Sequence, residues 1–382
     1  MPPIYDLAAW RAQIPILGTH VPLNNCSQAP LCQPTLAAAE AFLTSWSREG
    51  MDWDAWLEEV GRARAAFARL VGAAPEEIAV TGSVSDAASA VASALDFSGP
   101  RRRVVLSEAE FPTVAHVWQA QRSRGAQLDW VGVPNGMLRV EDYQTALDDR
   151  TLLLSASHGL YLSGSKQDLA ALARLAHASG ALLFVDAYQT LGTCAVDVKA
   201  LDLDFLVGGC LKYLMGTSGI AFLYVRPELV ARLEPTVTGW FGRANPFAFD
   251  PRPLDWAPSA ARFETGTPPI LNAYVARAGI EVILQVGPPA IQAWTEALSA
   301  RLIAVADELG LQLLGTRDPA AKAPTTAFRC AGDSQAVERR LRARKILVSA
   351  RGPVVRLAPH FYTTEEELEL AARALAEELE RG

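Results

Sequence analysis

A lysine that follows an apolar strand pattern is the first residue of this sequence that could do chemistry. Of the 35 basic residues only five are lysines, and one of them, Lys212, follows the run Asp204 to Gly209 by three residues. This run predicts a buried strand ending in a Gly-Gly turn, so the amine would lie in apolar surroundings at the edge of a sheet. Burial lowers the pKa of an amine, and a neutral amine can attack a carbonyl to form an imine. The alternative is a surface lysine that happens to follow a turn.

An acidic residue ends a second apolar strand pattern. Asp186 follows the run Ala181 to Val185, and Gln189 comes three residues later. A carboxylate at this place can hold a cationic ring nitrogen or a ribose hydroxyl, and such a partner would offset the cost of its burial. The alternative role for Asp186 is that of a helix N-cap.

A short polar turn lies between a predicted strand and a predicted amphipathic helix. Its residues Ser83, Val84 and Ser85 offer hydroxyl groups and free backbone N–H groups at a helix N-terminus, where a phosphate fits. An ordinary Ser or Asp N-cap would give the same pattern. The amine, the carboxylate and the anion site therefore need elements that bring them together.

Seven β-rich runs between residues 75 and 225 alternate with helical stretches. Apolar residues recur at helical spacing in Ala87 to Leu95 and in Leu169 to Ser179. The alternation predicts an α/β fold with a largely parallel sheet covered by helices on both faces, which binds ligands at the carboxyl ends of its strands. The predicted strands are Glu77 to Thr81, Arg103 to Ser107, Gln127 to Val133, Thr151 to Ala156, Ala181 to Asp186, Asp204 to Gly208 and Ile220 to Val225.

The chain divides into three predicted parts. Residues 1–20 form an N-terminal segment, residues 21–285 a large domain, and residues 286–382 a smaller α+β domain. Within the large domain, residues 234–270 are rich in Pro, Trp, Phe and Gly without a clear period, which indicates a connector that helps to build a site. The small domain is predicted to end in a helix from Thr364 to Leu379 that begins with a capping box.

Composition and charge exclude several classes of protein. The net charge of −7 and the lack of a long basic run argue against a nucleic-acid partner. The apolar stretches are far shorter than the roughly 20 residues of a membrane-spanning helix, and the N-terminus lacks an export signal pattern, so we expect a cytoplasmic protein. Five cysteines without a CxxC pair or a metal-type cluster suggest neither a disulfide framework nor a metal site.

The three sites, in their order and spacing, together resemble the pyridoxal-phosphate enzymes of the class V aminotransferase group. This group includes cysteine desulfurases, carbon-sulfur lyases, kynureninase and several transaminases. The resemblance extends from Leu23-Asn24-Asn25 to Tyr362-Thr363-Thr364. It implies fold type I, with a mostly parallel seven-stranded sheet in the large domain, a smaller C-terminal α+β domain, and a homodimer with two shared active sites.

The resemblance also implies which residues contact the cofactor. Lys212 would hold it as an imine, Asp186 would keep the pyridine nitrogen protonated, and Gln189 would hydrogen-bond the phenolic oxygen. Phe111, in the segment Glu110-Phe111-Pro112-Thr113, corresponds to the aromatic residue that stacks on the ring. Desulfurases usually have His at this place, whereas Phe-Pro-Thr resembles kynureninase. The phosphate would lie against Ser83, Val84 and Ser85, which stand where the family has Gly-Thr-Thr.

Further positions are assigned to the substrate and the second subunit. Arg356 would form a bidentate pair with the α-carboxylate of an amino acid, with Arg243 and Arg351 as the next candidates. Thr267, in a segment similar to the one that reaches the neighbouring subunit, would donate to its phosphate. The remaining assignments are His158 beside the cofactor, with a solvent-facing His as the alternative, and Asn25 and Trp240 at the substrate, with packing as the alternative for Trp240.

The sequence departs from the desulfurase pattern at two places. Desulfurases carry a nucleophilic Cys shortly before the arginine that binds the carboxylate, and here residues 349–353 read Ser-Ala-Arg-Gly-Pro. Cys210 and Leu211 stand where many relatives place Ser or His before the lysine, which leaves the local phosphate contacts open. Persulfide chemistry is therefore ranked below the other reactions of the group.

The sequence as a whole predicts a pyridoxal-phosphate enzyme that acts on a small α-amino acid by transamination, or by kynureninase-like or carbon-sulfur lyase chemistry. Epimerisation and desulfurase-like chemistry are the alternatives. The joint presence of Lys212, Asp186 and Arg356 argues against a binding protein on the same fold that has no catalytic activity. A simple nucleotide-binding protein is argued against because no GxGxxG or GxxxxGK[ST] follows a strand.

Overall fold

Short runs rich in aliphatic and aromatic residues form the strands. The structure, a computed structural model, describes residues 3–381; residues 1 and 2 of the predicted N-terminal segment and residue 382 of the predicted small domain lie outside the described residues. The strands within residues 3–381 are β1 (Val21–Pro22), β2 (Ile78–Thr81), β3 (Arg103–Ser107), β4 (Gln127–Val131), β5 (Thr151–Ser157), β6 (Leu182–Asp186), β7 (Phe205–Gly209), β8 (Ala221–Val225), β9 (Leu313–Leu314), β10 (Thr326–Arg329), β11 (Ile346–Leu347), β12 (Ser349–Arg351) and β13 (Val354–Leu357).

Helices lie between many of these strands. Over the same described residues they are α1 (Leu7–Ala12), α2 (Gln33–Glu49), α3 (Trp53–Val71), α4 (Val84–Ala94), α5 (Pro112–Ala120), α6 (Val140–Gln144), α7 (Leu169–Ala178), α8 (Pro227–Val230), α9 (Ile270–Val286), α10 (Pro288–Glu308), α11 (Ser334–Ala343) and α12 (Glu365–Glu380). Short 3₁₀ turns connect several of them. The alternation of strand and helix from β2 to β8 is the pattern that the sequence predicted.

The large sheet has the strand order β2-β8-β7-β6-β5-β3-β4. All neighbouring pairs are parallel except those of β8, which runs antiparallel to both β2 and β7. The seven predicted strands are all present, with ends that differ by at most two residues. This confirms the prediction of a mostly parallel seven-stranded sheet in an α/β fold.

Both faces of the large sheet are buried, because helices cover each of them. On one face Phe67 of α3 stacks on Phe222 of β8, with ring centroids 4.6 Å apart. On the other face Trp118 of α5 packs edge-on against Phe184 of β6 at 5.4 Å. Since neighbouring residues of a strand point to opposite faces, an apolar run such as Ala221–Val225 supplies both cores at once.

Helices α2 and α3 were not predicted, and they pack on α9. Asp52 caps α3 by accepting from the Ala55 backbone N–H at 3.3 Å, and Gly72 ends it in a left-handed conformation. The buried carboxylate of Glu59 forms ion pairs with Arg277 of α9 and Arg62 of α3. This interaction joins the beginning of the large domain to its last helix.

The small domain contains a four-stranded antiparallel sheet, ordered β12-β13-β10-β9. Strand β1 pairs in parallel with β11, and Leu23 is part of the small-domain core. The first strand after the predicted N-terminal segment therefore packs on the C-terminal part of the chain. The predicted capping box of α12 is confirmed: Thr364 and Glu367 exchange hydrogen bonds of 3.0 and 3.2 Å.

Within residues 3–381, no single helix is both long enough and apolar enough to cross a membrane. Helices α9 and α10 reach the required length and hydropathy only as a pair, and they meet at an angle of 77°.

Candidate functional site

The carboxyl edge of the large sheet forms the floor of a cavity of about 310 Å³. Ser157 and Asp186 end the neighbouring strands β5 and β6 and stand side by side in the register, and Lys212 follows the end of β7. The N-terminus of α4 and the hairpin of β12 and β13 complete the walls. Predicted site residues that line this cavity are Ser83, Val84, Ser85, Phe111, Asp186, Gln189, Lys212 and Arg356.

Lys212 points its amine between two aromatic rings of the cavity. Its Nζ lies 4.1 Å from the centroid of the Tyr188 ring and 5.6 Å from that of Phe111. Burial lowers the pKa of this amine from 10.5 to about 8, and the carboxylate of Asp186 limits the decrease. Gly209 permits the arrangement, since a Cβ at this position would overlap the Tyr188 ring. A substantial fraction of Lys212 is thus neutral near pH 8 and able to act as a nucleophile or base.

Asp186 is buried at the end of β6 and caps no helix. One carboxylate oxygen accepts a 2.9 Å hydrogen bond from the Tyr188 backbone N–H. Burial raises the pKa of Asp186, while the Tyr188 N–H and the charge of Lys212 act in the opposite direction. A cationic ring nitrogen in the cavity would stabilise the ionised form further, as the pyridinium of the predicted cofactor requires.

Gln189, like Asp186, shows whether pyridoxal phosphate fits the residues of this cavity. Its Nε2 donates to the Cys26 carbonyl at 3.2 Å, and its Oε1 is buried with no hydrogen-bond partner among residues 3–381. Buried polar atoms are normally satisfied, so a donor on a bound ligand would complete this group. A phenolic hydroxyl on the cofactor ring has the required chemistry, and the residues present therefore fit the group.

The anion site lies at the N-terminus of α4, an 11-residue helix. Ser83 caps this helix, with its hydroxyl accepting from the Asp86 N–H at 3.1 Å, so the capping alternative is realised while the O–H stays free to donate. The first N–H groups of the helix remain without intrahelical partners and suit a phosphate. Ser85 adds a hydroxyl, which donates to Thr113 at 3.2 Å, and both side chains line the cavity.

Arg356 is a buried cation at the opposite end of the cavity, with 1% exposure. Its guanidinium donates to the Tyr161 carbonyl at 2.5 Å and to the Ser349 hydroxyl at 2.6 Å. It takes part in none of the ion pairs found among the described residues. Because a buried charge without a counter-ion is costly, an incoming carboxylate would provide a favourable partner.

His158 and Asn25 lie next to the cavity, and neither contributes to its lining. The His158 ring bonds the Thr190 hydroxyl at 2.8 Å, and burial lowers its pKa to about 3, so the ring is neutral. The Asn25 side chain donates to the Ala358 carbonyl at 2.7 Å and accepts from the Tyr362 hydroxyl. These bonds use Asn25 to join β1 to the small domain, and its neighbour Cys26 lines the cavity in its place.

Trp240 and Thr267 also lie outside the cavity of a single chain. Trp240 packs in an aromatic cluster with Phe241, Phe247 and Phe249, at centroid distances of 4.5 to 6.1 Å. Thr267 is exposed at the surface. Arg243, a reserve candidate for the carboxylate, is paired with Asp255 at 2.7 Å and does not line the cavity.

Several cavity residues were not assigned from the sequence. Tyr188 stands between Asp186 and Gln189 in the sequence, and this position is the signal that could have identified it as a cavity residue. Thr113 and Ser27 gave no signal of their own. Arg351 was named only as a substitute for Arg356, yet both arginines line the cavity.

A buried carboxyl, Glu110, supports the floor of the cavity from below. It accepts from the backbone N–H and the hydroxyl of Ser157, at 3.1 and 3.0 Å, and so connects the Phe111 segment to the end of β5. Burial and the nearby Asp186 raise the pKa of Glu110 from 4.5 to about 8. The sequence signal for it was its place directly before Phe111.

Comparisons with known proteins agree with this geometry. The profile of the Aminotransferase class-V family matches residues 23–373. The chain is 38% identical to an uncharacterised aminotransferase, YcbU, of Bacillus subtilis, over 96% of both chains, and 29% identical to isopenicillin N epimerase of Streptomyces clavuligerus, over 97% of this chain and 98% of that one. A cysteine desulfurase of Thermococcus onnurineus shares the fold with a TM-score of 0.89, at 24% identity over 100% of both chains. The chain therefore belongs to the class V aminotransferase family, and its cofactor is pyridoxal phosphate.

Proposed function

We propose that this protein catalyses transamination of a small α-amino acid. The observation that carries the proposal is the presence of Lys212, Asp186 and Arg356 in one cavity. These residues offer a nucleophilic amine, a carboxylate for a ring nitrogen and a guanidinium for a carboxylate. Together they meet the needs of a reaction at the α-carbon of an amino acid.

Each residue has a distinct task in this proposal. Pyridoxal phosphate, when bound, supplies an aldehyde that condenses with amines and a protonated ring that accepts electron density. Asp186 holds the proton on the ring nitrogen, and Arg356 orients the substrate through its α-carboxylate. Lys212, once its amine is free, would take a proton from the α-carbon of the substrate and hold it as an ammonium group for a later transfer.

The proton chemistry of the cavity favours transamination. Burial lowers the pKa of Lys212 to about 8, so this one amine can serve as the base for both proton transfers. Tyr188, which faces that amine, stays protonated at neutral pH because burial raises its pKa. The aminotransferase relative spans almost the whole chain, which also supports this choice.

Epimerisation is the second candidate. It requires a proton donor on the face opposite the base, and the Tyr188 hydroxyl and the Cys26 thiol are the acidic groups available in the lining. The similarity to an epimerase over 97% of the chain supports epimerisation as the second candidate reaction. Desulfurase chemistry ranks lower because residues 349–353 hold no cysteine, and kynureninase-like chemistry ranks lower because Trp240 lies outside the cavity. Carbon-sulfur lyase chemistry stays an alternative that the products of the reaction distinguish.

A homodimer and a cytoplasmic location are part of the proposal. Thr267 is exposed and outside the cavity of its own chain, as expected of a residue that serves the neighbouring subunit's phosphate. Sedimentation of the purified protein and fractionation of cells would test the two statements.

The decisive experiment incubates purified holoenzyme with a panel of L-amino acids, with and without a 2-oxo acid as amino acceptor. Transamination predicts a keto acid product that depends on the acceptor. Inversion of the α-carbon without a keto acid would indicate epimerisation, and released alanine, sulfide or ammonia would indicate a lyase. Absence of turnover with every amino acid would contradict the proposal, and Lys212→Ala protein is the control for background reaction.

A further inference from the structure

A second arginine in the cavity has no role in the chemistry described above. We propose that Arg351 binds a second negatively charged group on the substrate, so that the enzyme selects amino acids with an acidic side chain. This inference rests on the proposed function, because it specifies the substrate class of the same site.

The hairpin geometry places Arg351 and Arg356 on the same face of the small sheet. Ser349 pairs with Arg356 in the antiparallel register, and Arg351 pairs with Val354. Paired residues of antiparallel strands point to the same side, and so do residues two apart in one strand. Arg351 and Arg356 are thus diagonal neighbours, whose Cα atoms lie about 7–8 Å apart in such a pair. Both side chains line the cavity.

This spacing matches a substrate with two carboxylates. The α-carboxylate would bind the buried Arg356. A side-chain carboxylate two or three carbon atoms beyond the α-carbon would reach Arg351. The guanidinium of arginine binds carboxylates with parallel hydrogen bonds, which a neutral amide does not match. The two arginines therefore favour an acidic amino acid over its amide.

The charges of the cavity lead to the same conclusion. Within the described lining, the basic residues are Lys212, Arg351 and Arg356, and the acidic residue is Asp186. In the proposed function the ring nitrogen would pair with Asp186, the α-carboxylate with Arg356, and the phosphate with the N-terminus of α4. Arg351 is left as a cation that none of these groups uses.

The surroundings of Arg351 leave it available to a ligand. It is exposed, and its guanidinium donates only to the adjacent Ala350 carbonyl, at 3.3 Å. None of the ion pairs among residues 3–381 includes it. Other exposed arginines are paired, as Arg317 is with Asp307 and Arg339 with Asp333.

The test measures binding of substrate-like acids that lack an amino group, which avoids dependence on turnover. Calorimetry on holoenzyme compares glutarate, with two carboxylates, to butyrate, with one. Wild-type protein should bind glutarate more tightly, and Arg351→Gln should reduce glutarate affinity about tenfold while changing butyrate affinity less than about twofold. Arg329→Gln is the matched control, because Arg329 is exposed on the next strand of the same sheet, also pairs with Val354, and does not line the cavity.

Turnover of glutamate against glutamine, and of aspartate against asparagine, provides the second measurement. The preference for the acid should be lost in Arg351→Gln and kept in Arg329→Gln. Equal binding of glutarate and butyrate by wild-type protein that still converts neutral amino acids would overturn the inference and leave the proposed function intact. A preference for glutarate that survives in Arg351→Gln would also overturn it. Absence of turnover with any amino acid would instead contradict the proposed function.

Discussion

At the scale of single residues, burial and the charge of Asp186 act in opposite directions on the pKa of Lys212. Its pKa of about 8 makes roughly half of the amine neutral at pH 8, where an ordinary lysine is almost fully charged. We expect covalent attachment of pyridoxal phosphate to the cofactor-free protein to rise with pH through this midpoint. Borohydride reduction followed by mass spectrometry of peptides measures the attachment at each pH.

Two variants sharpen this measurement. Asp186→Asn removes the charge that limits the decrease in the pKa of Lys212, so its midpoint should lie below that of the wild type. Lys212→Ala should lose the covalent link. Labelling of Lys166 or Lys199 in place of Lys212 would show that the wrong lysine has been assigned.

Glu110 makes the stability of the protein depend on pH. Its pKa rises from 4.5 in the unfolded chain to about 8 in the folded protein, so the folded state holds more protons between these values. Its contribution is fully present below pH 4.5 and is lost as pH rises through 8, at up to about 1.4 kcal/mol per pH unit. Urea unfolding at pH 5, 6.5 and 8 should show a smaller decrease in stability for Glu110→Gln than for the wild type.

The control for this prediction is Glu40→Gln, at an exposed position of α2. A decrease of the same size in wild-type and Glu110→Gln protein would mean that Glu110 is ionised in the folded state. The hydrogen bonds from Ser157 would then have outweighed burial and the neighbouring Asp186.

At the scale of elements, we expect the N-terminus of α4 to combine a structural role of Ser83 with a binding role of Ser85, two residues further along. Ser83→Ala removes the N-cap and should lower the free energy of unfolding by about 1 kcal/mol. Ser85→Ala keeps the cap and removes a hydroxyl from the cavity, so it should weaken binding of pyridoxal phosphate with a smaller effect on stability. Denaturant unfolding and titration of the cofactor measure the two effects separately. Equal losses in both assays for both variants would contradict this division.

The elements were predicted well where burial decides the residue pattern. The strands of the large sheet are covered on both faces, and their continuous apolar runs mark them within one or two residues. Helix α2 was not predicted, because it buries only Thr35, Ala38 and Phe42 and leaves Leu43 and Trp46 exposed. Its apolar residues are therefore not confined to one face, and the helical period is hard to recognise.

At the scale of the whole molecule, the cavity joins segments that are far apart in the chain. The predictions of Lys212 and Asp186 as site residues came from strand ends, which a parallel sheet brings to one edge. The sequence assigns Asn25 to the substrate, and in the structure its side chain bonds the Ala358 carbonyl next to the cavity. The direction of the Asn25 side chain depends on partners more than 300 residues away, Ala358 and Tyr362. No local sequence pattern contains that information.

The predicted dimer can be tested by complementation between two defective chains. Lys212→Ala lacks the amine, and Thr267→Glu places a carboxylate where a phosphate of the neighbouring subunit is expected, so each variant alone should be inactive. In a mixed dimer one site would combine Lys212 of one chain with Thr267 of the other. Random pairing of the two chains after co-expression should therefore restore about a quarter of the wild-type activity per chain. If Thr267 served its own chain, the mixed dimers would stay inactive, and a monomer in sedimentation would likewise contradict the shared site.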